Sequence, residues 1–130
     1  MISVDANVIV RLLTGDDRTQ FNRARALFEK KAVIFITTTV VLETEWVLRY
    51  AYHFNPLQIT AAFHSLFGLP NVQVEEPLVI ADAMEWHAGG MDFADALHLS
   101  QSRAAGSFAT FDKDLVKKSS GIKDIRVFEP

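Results

Sequence analysis

The chain has 130 residues, 49% of them apolar and 22% charged, with a formal net charge of −3 and no cysteine. That length buries about two-thirds of the surface its unfolded form exposes, enough for one domain with one core, and the composition excludes a disordered chain; the acidic balance weighs against a nucleic-acid binder, which ordinarily carries a basic excess. Without cysteine there is no disulfide, thiolate nucleophile or Cys-ligated zinc, and with no bilayer-length apolar run and no basic leader region a cytoplasmic protein with no membrane attachment is expected.

The opening MISVD reads as a short buried strand ending at Asp5. ANVIVRLLTG follows as a helix closed by Gly15, and DDRTQFNRARALFEKK as a second helix, with Phe21, Ala24, Leu27 and Phe28 at helical spacing behind an Asp cap. AVIFITTT is rich in β-branched and aromatic residues and predicts a buried strand. TTTVVLETEWVLRYAYH is a helix that is apolar nearly all round, which predicts a position inside the protein. NPLQITAAFHSLFGLP is a helix bounded by Asn55-Pro56 and by Gly68 with Pro70. NVQVE alternates as a strand; EPLVIADAMEWHAGG is helical up to its glycine pair, and MDFADALHLSQSRAAG up to Gly106. SFATF is a strand, DKDLVKK a short helix and DIRVFEP a last, edge strand. There is no repeat, linker or low-complexity segment, so residues 1–130 read as a single domain. The repeated strand-then-helix order predicts an α/β fold with a mostly parallel central sheet covered on both faces.

The acids fall at telling places. Asp5 closes the first strand and Asp112 closes SFATF, and open parallel sheets bind ligands beyond the carboxyl ends of their strands, where the winding reverses. If those two strands are neighbours, the two acids face one cleft. Glu43 lies on the apolar helix, one turn from Val40 and Val47, and Asp95 lies in the first turn of DFADALHLS. Buried acids are costly without compensation; gathered by folding, these would raise one another's pKa values or require a cation. No Arg or Lys is interleaved with them, so a metal is the simplest partner. Hard oxygen donors suit Mg²⁺ or Mn²⁺, and an acid-lined site for such an ion points to phosphate-ester chemistry. Asp5 is then read as a metal ligand.

Four stretches taken together, MISVDANVIVRLL, the glutamate of VVLETEWVLR, the DFADALHLS helix and TFDKDL, resemble the PIN domain, and in particular the VapC-type toxin ribonucleases of toxin-antitoxin pairs. Each motif is weak alone; their order and spacing over essentially the whole chain make the set specific. The resemblance implies a three-layer α/β/α sandwich and a Mg²⁺- or Mn²⁺-dependent endoribonuclease, which leaves 5′-phosphate and 3′-hydroxyl ends, pairs with itself as a homodimer and is inhibited by a cognate antitoxin protein. Carried over by position, the catalytic and metal-binding acids are Asp5, Glu43, Asp95 and Asp112, with Asp114 as a second choice for the last ligand. Asn7 would orient Asp5, and Thr110 would hydrogen-bond within the site.

Plainer readings stand beside these. Asp5 at a strand-to-helix turn is also a good helix N-cap. Periodicity does not choose between Glu43 and Glu45; only the motif position favours Glu43. Asp92 and Asp95 form a D-x-x-D pair at a helix start, and for Asp92 capping is the preferred reading over a supporting role in the site. His98, one turn on, reads as packed or exposed; His53, His64 and His87 have no ligand-spaced neighbours that would suggest zinc. Trp46 and Trp86 are assigned to core or interface. Arg11, Arg18, Arg23, Arg25, Lys30 and Lys31 concentrate in the first quarter of the chain, either as a solvated helix face or as a hold on an RNA backbone. Two rival functions are carried: a haloacid-dehalogenase-like Mg²⁺-dependent phosphatase with Asp5 as nucleophile, for which Asn7 stands where a second aspartate is wanted, and a non-catalytic PIN-like binding module.

Overall fold

A computed structural model describes all 130 residues. The chain divides into two compact units, Met1–Glu76 and Pro77–Pro130. In the first unit the order is β1 (Ile2–Ser3), α1 (Ala6–Thr14), α2 (Arg18–Phe28), β2 (Ile34–Ile36), α3 (Thr38–Tyr52), α4 (Pro56–Phe67) and β3 (Val72–Val74). The strands form one parallel sheet in the order β1-β2-β3, with Ile2 beside Ile34 and Ile34 beside Val72. β2 is central; its Ile34 and Ile36, which share one face, are fully buried, and Phe35 on the opposite face is partly buried.

Polar residues punctuate this unit. Asp5 accepts the Val8 N–H at 3.1 Å and starts α1. Asp17, the second acid of the DDRT stretch, caps α2 through the Gln20 N–H at 3.0 Å. Thr37 caps α3, and Asn55 and Gln58 cap α4 reciprocally ahead of Pro56. Gly15 ends α1 at φ +64°, a conformation costly for a residue with a Cβ, while its N–H bonds Arg11 O. The turn between α2 and β2 is tied down by one side chain. The Asn71 amide donates to the carbonyls of Phe28 (2.9 Å), Lys30 (3.2 Å) and Ala32 (3.2 Å).

The second unit runs α5 (Pro77–Ala88), α6 (Phe93–Gln101), a 3₁₀ turn (Arg103–Ala105), β4 (Ser107–Ala109), α7 (Lys113–Lys118) and β5 (Arg126–Phe128). Its two strands are parallel, with Ser107 beside Arg126 and Ala109 beside Phe128. α5 packs on α6, and Ile80, Ala83 and Met84 of the one and Phe93, Ala96 and Leu97 of the other are buried. Arg103 braces the unit, pairing with Asp82 of α5 (2.5 Å) and Asp124 ahead of β5 (2.6 Å), with its guanidinium 5.1 Å from the centre of the Trp86 ring.

The mixed α/β class with a parallel sheet is as the alternation of elements predicts. Three features differ. β1 pairs only with β2, and β4 only with β5, so no ladder makes the first strand and the SFATF strand neighbours. The helix expected to run to Gly106 stops at Gln101, where Ser102 folds its hydroxyl back onto His98 O at 2.6 Å and the chain tightens into a 3₁₀ turn. α3 is not interior on all sides. Thr39, Glu43, Trp46 and Tyr50, spaced four, three and four apart, form an exposed stripe, and Trp46 is 53% exposed and not in the core. The reason is that much of the apolar character of this helix comes from aromatic rings that solvent tolerates at their polar tips: Trp46 and Tyr50 pack on each other at 4.8 Å, with the Arg49 guanidinium 4.8 Å from the Tyr50 ring centre. No helix is long and apolar enough to cross a membrane.

Candidate active site

In the first unit, Asp5 is exposed at the point where β1 gives way to α1. One carboxylate oxygen caps the helix, so the capping reading is correct as far as it goes, and that bond leaves the second oxygen to other partners. Asp5, Asn7 and Val8 line one end of a groove of about 600 Å³ between α1 and α2. The two glutamates that periodicity could not separate are separated by their surroundings. Glu45 is 1% exposed and accepts from Arg49 Nε at 3.0 Å, whereas Glu43 sits on the exposed stripe of α3. Glu45 is thus a buried carboxylate held by its own arginine, and Glu43 is exposed to solvent.

In the second unit the start of α6 and the start of α7 bring carboxylates together. Asp92 caps α6 by accepting the Asp95 N–H at 3.1 Å. Asp112 caps α7, its Oδ1 accepting from Asp114 N (3.0 Å) and Leu115 N (3.1 Å), while its own N–H donates to the Thr110 hydroxyl at 3.0 Å. Thr110 is anchored in turn by its N–H to Phe128 O at 3.0 Å, one step beyond the β4–β5 ladder. Half-buried Asp95 has its pKa raised, first by burial and then by the charges of Asp92 and Asp112, against smaller opposing effects of His98 and Lys118. Burial and like charge thus act together to disfavour the ionised form of this carboxyl.

Asp112 and Asp114 differ in their partners. Asp114 pairs with Lys118 one turn on, at 2.9 Å, while it is the charge of Asp112 that reaches Asp95. Lys118 is the residue that sequence reasoning missed. The acids looked free of interleaved cations, yet α7 carries Lys118 to within bonding distance of Asp114 and, at 3.0 Å, of Gly90 O. The i,i+4 spacing of Asp114 and Lys118 in DKDLVKK was the available signal. Of the histidines, His98 is exposed, whereas His87 is 5% exposed, bonded through Nδ1 to Met91 O at 2.8 Å and set against Phe93 at 5.4 Å. No zinc-like set forms around either.

Within neither unit do three His, Asp or Glu side chains come close enough to hold one ion. The donor chemistry nonetheless fits a hard divalent cation. Every candidate is an oxygen donor, and at Asp95 the effects of burial, Asp92 and Asp112 outweigh those of His98 and Lys118.

Fold and acids together define a mixed α/β domain with parallel strands, whose chemistry is that of carboxylates placed at the ends of strands and the starts of helices. The chain belongs to the PIN domain family, whose family model matches residues 2–120 and so takes in Asp5, Glu43, Asp95 and Asp112. PIN domains are typically metal-dependent nucleases. No functionally curated protein matches the chain.

Proposed function

We propose that the protein is a Mg²⁺- or Mn²⁺-dependent endoribonuclease of the VapC type, the toxin of a toxin-antitoxin pair. Asp5, Asp95 and Asp112 are the residues that would hold the cation, and Glu43 would position the attacking water. A divalent cation there would supply charge neutralisation at the phosphate oxygens and a water of lowered pKa. Asn7 would orient the Asp5 carboxylate, and Thr110, which accepts the Asp112 N–H, keeps that acid at its station. Hydrolysis in line with the leaving 3′-oxygen gives a 5′-phosphate and a 3′-hydroxyl. A homodimer, a cognate antitoxin and a cytoplasmic setting belong to the same proposal.

The observation that carries the reading is the PIN match across all four acids. The raised pKa of Asp95, due first to burial and then to the charges of Asp92 and Asp112, supports it, because a carboxylate so placed is a cost to stability that a cation would relieve. PIN membership favours phosphodiester over phosphomonoester hydrolysis and so speaks against the phosphatase alternative. The test is incubation of the purified protein with structured and unstructured RNA and Mg²⁺ or Mn²⁺, beside Asp5→Asn and Asp95→Asn. Cleavage that chelation stops and both substitutions abolish bears the proposal out. Turnover of small phosphomonoesters without RNA cleavage would restore the phosphatase reading. Inactivity on both, with no metal-dependent rise in Tm, would leave a binding module.

A further inference from the structure

The α1–α2 hairpin turns within three residues, Gly15 to Asp17, so its two helices run in opposite directions and the start of α1 lies beside the end of α2. Facing residues of the two helices leave the groove of about 600 Å³ between them. Asp5 stands at the end where α1 begins. On the α2 side, Arg23 and Lys30 line the groove seven residues apart, about two helical turns. Both are exposed, and neither is taken up by an ion pair or a side-chain hydrogen bond. The floor is apolar, formed by Val8, Ala24 and Leu27.

The third cation of the groove is committed elsewhere. Arg11 Nη1 reaches Asp16 at 3.0 Å and the Tyr52 hydroxyl at 2.9 Å, and its Nε donates to Gln20 at 2.6 Å. Asp16 in turn is held below the usual carboxylate range, chiefly by the Tyr52 hydroxyl. Arg11 therefore fixes the far wall, while Arg23 and Lys30 keep their charge for something else. On a chain of net charge −3, two unneutralised cations beside a groove that starts at a candidate catalytic acid mark a local reversal of sign. Clefts lined by one sign of charge concentrate ligands of the other.

We infer that the α1–α2 groove is the track along which single-stranded RNA leaves the Asp5 end, with Arg23 and Lys30 each neutralising one backbone phosphate. This deepens the nuclease reading and rests on it for the identity of the strand. An extended polyanion fits better than an acidic peptide because the two cations are separated along the helix and held by no partner, a pattern suited to repeating phosphates and lacking the fixed fork of donors that a carboxylate would want.

The experiment measures binding of a fluorescently labelled single-stranded RNA oligonucleotide by anisotropy, in chelator so that no cleavage occurs, across a salt series. The double variant Arg23→Ala/Lys30→Ala is compared with Arg18→Ala/Lys31→Ala, which removes the same charge from exposed positions outside the groove. Loss of two phosphate contacts makes the slope of log affinity against log salt shallower by about 1.4 and weakens binding roughly tenfold or more near 0.1 M salt. The control pair should stay close to wild type. Equal effects of the two pairs, or no effect of the groove pair, overturn the inference, and so does a groove pair that leaves RNA binding intact while dissolving a homodimer, since the occupant is then protein. Cleavage is scored separately. RNA that binds through the groove pair but is never cut in Mg²⁺ or Mn²⁺ keeps the inference and fails the nuclease reading; cutting that ignores the groove pair does the reverse.

Discussion

Glu43 and Glu45 stand two residues apart on α3, and the structure gives them opposite surroundings whose consequences stability measurements can separate. Glu45 is 1% exposed, while its partner Arg49 is 37% exposed at the side chain. Removing the arginine leaves a buried carboxylate without its nearest cation, a loss of about 3–5 kcal/mol when both partners are fully buried. Because Arg49 is more than a third exposed, solvent can replace part of what it supplies, and Arg49→Met is expected to cost about 2 kcal/mol. For a chain of this length the unfolding entropy near Tm is about 0.27 kcal/mol per degree, so the fall in Tm is roughly 7 °C. Glu45→Met removes the buried charge itself and fills the space with apolar atoms, leaving only a half-exposed arginine that water can solvate; it should cost clearly less than Arg49→Met, or nothing. Glu43→Gln, on the exposed stripe, should stay within about 0.5 kcal/mol of wild type while sharply lowering metal-dependent cleavage. Thermal and urea unfolding of the three variants supply the assay. An Arg49→Met protein as stable as wild type, or a Glu45→Met protein less stable than Arg49→Met, would refute the reasoning.

The raised pKa of Asp95 sets a pH dependence. Below the unfolded value of about 3.9 the group is protonated in both states and contributes nothing. As pH rises from there through the raised folded value, the native state holds the proton more tightly than the unfolded one, so stability falls and the penalty is complete above the folded value. Without metal, Asp95→Asn should therefore gain on wild type as the pH rises through that window; a stability difference that is flat with pH, measured by thermal unfolding in chelator, contradicts the assignment. Asn71→Ala removes three hydrogen bonds from the α2–β2 turn and should cost about 1–3 kcal/mol, read by urea unfolding; a change under about 0.5 kcal/mol would show that water replaces the amide at all three carbonyls.

Much of the fold was legible because the punctuation is local. Asp5, Thr37, Asn55, Asp92 and Asp112 each sit where a strand or loop becomes a helix, and the side-chain oxygen of each accepts a backbone N–H within four residues. Such interactions are written into consecutive residues, and so the alternation of strand and helix could be read. Strand pairing is not local, and nothing in SFATF itself says that its partner is RVF alone. The exposed stripe of α3 was invisible for a related reason: hydrophobicity scored Trp46 and Tyr50 as core material, whereas their accessibility depends on which side of the helix has neighbours. The acids were identifiable as acids, but their separate fates depended on distant or helically spaced partners. Arg49 claims Glu45, Lys118 claims Asp114, and the neighbouring charges of Asp92 and Asp112 raise the pKa of Asp95. The groove cations show the same limit. Six basic residues were conspicuous in the first quarter, but only the hairpin shows that Arg11 and Arg25 are committed to Asp16 and Glu29 while Arg23 and Lys30 are not.

The central claim is that these carboxylates serve a divalent cation. Calorimetric titration of the metal-free protein with Mn²⁺ tests it without reference to any substrate. The account predicts saturable binding and at least a tenfold loss of affinity in Asp95→Asn. Mn²⁺ binding that is undetectable in the wild type, or unchanged in the variant, would contradict it.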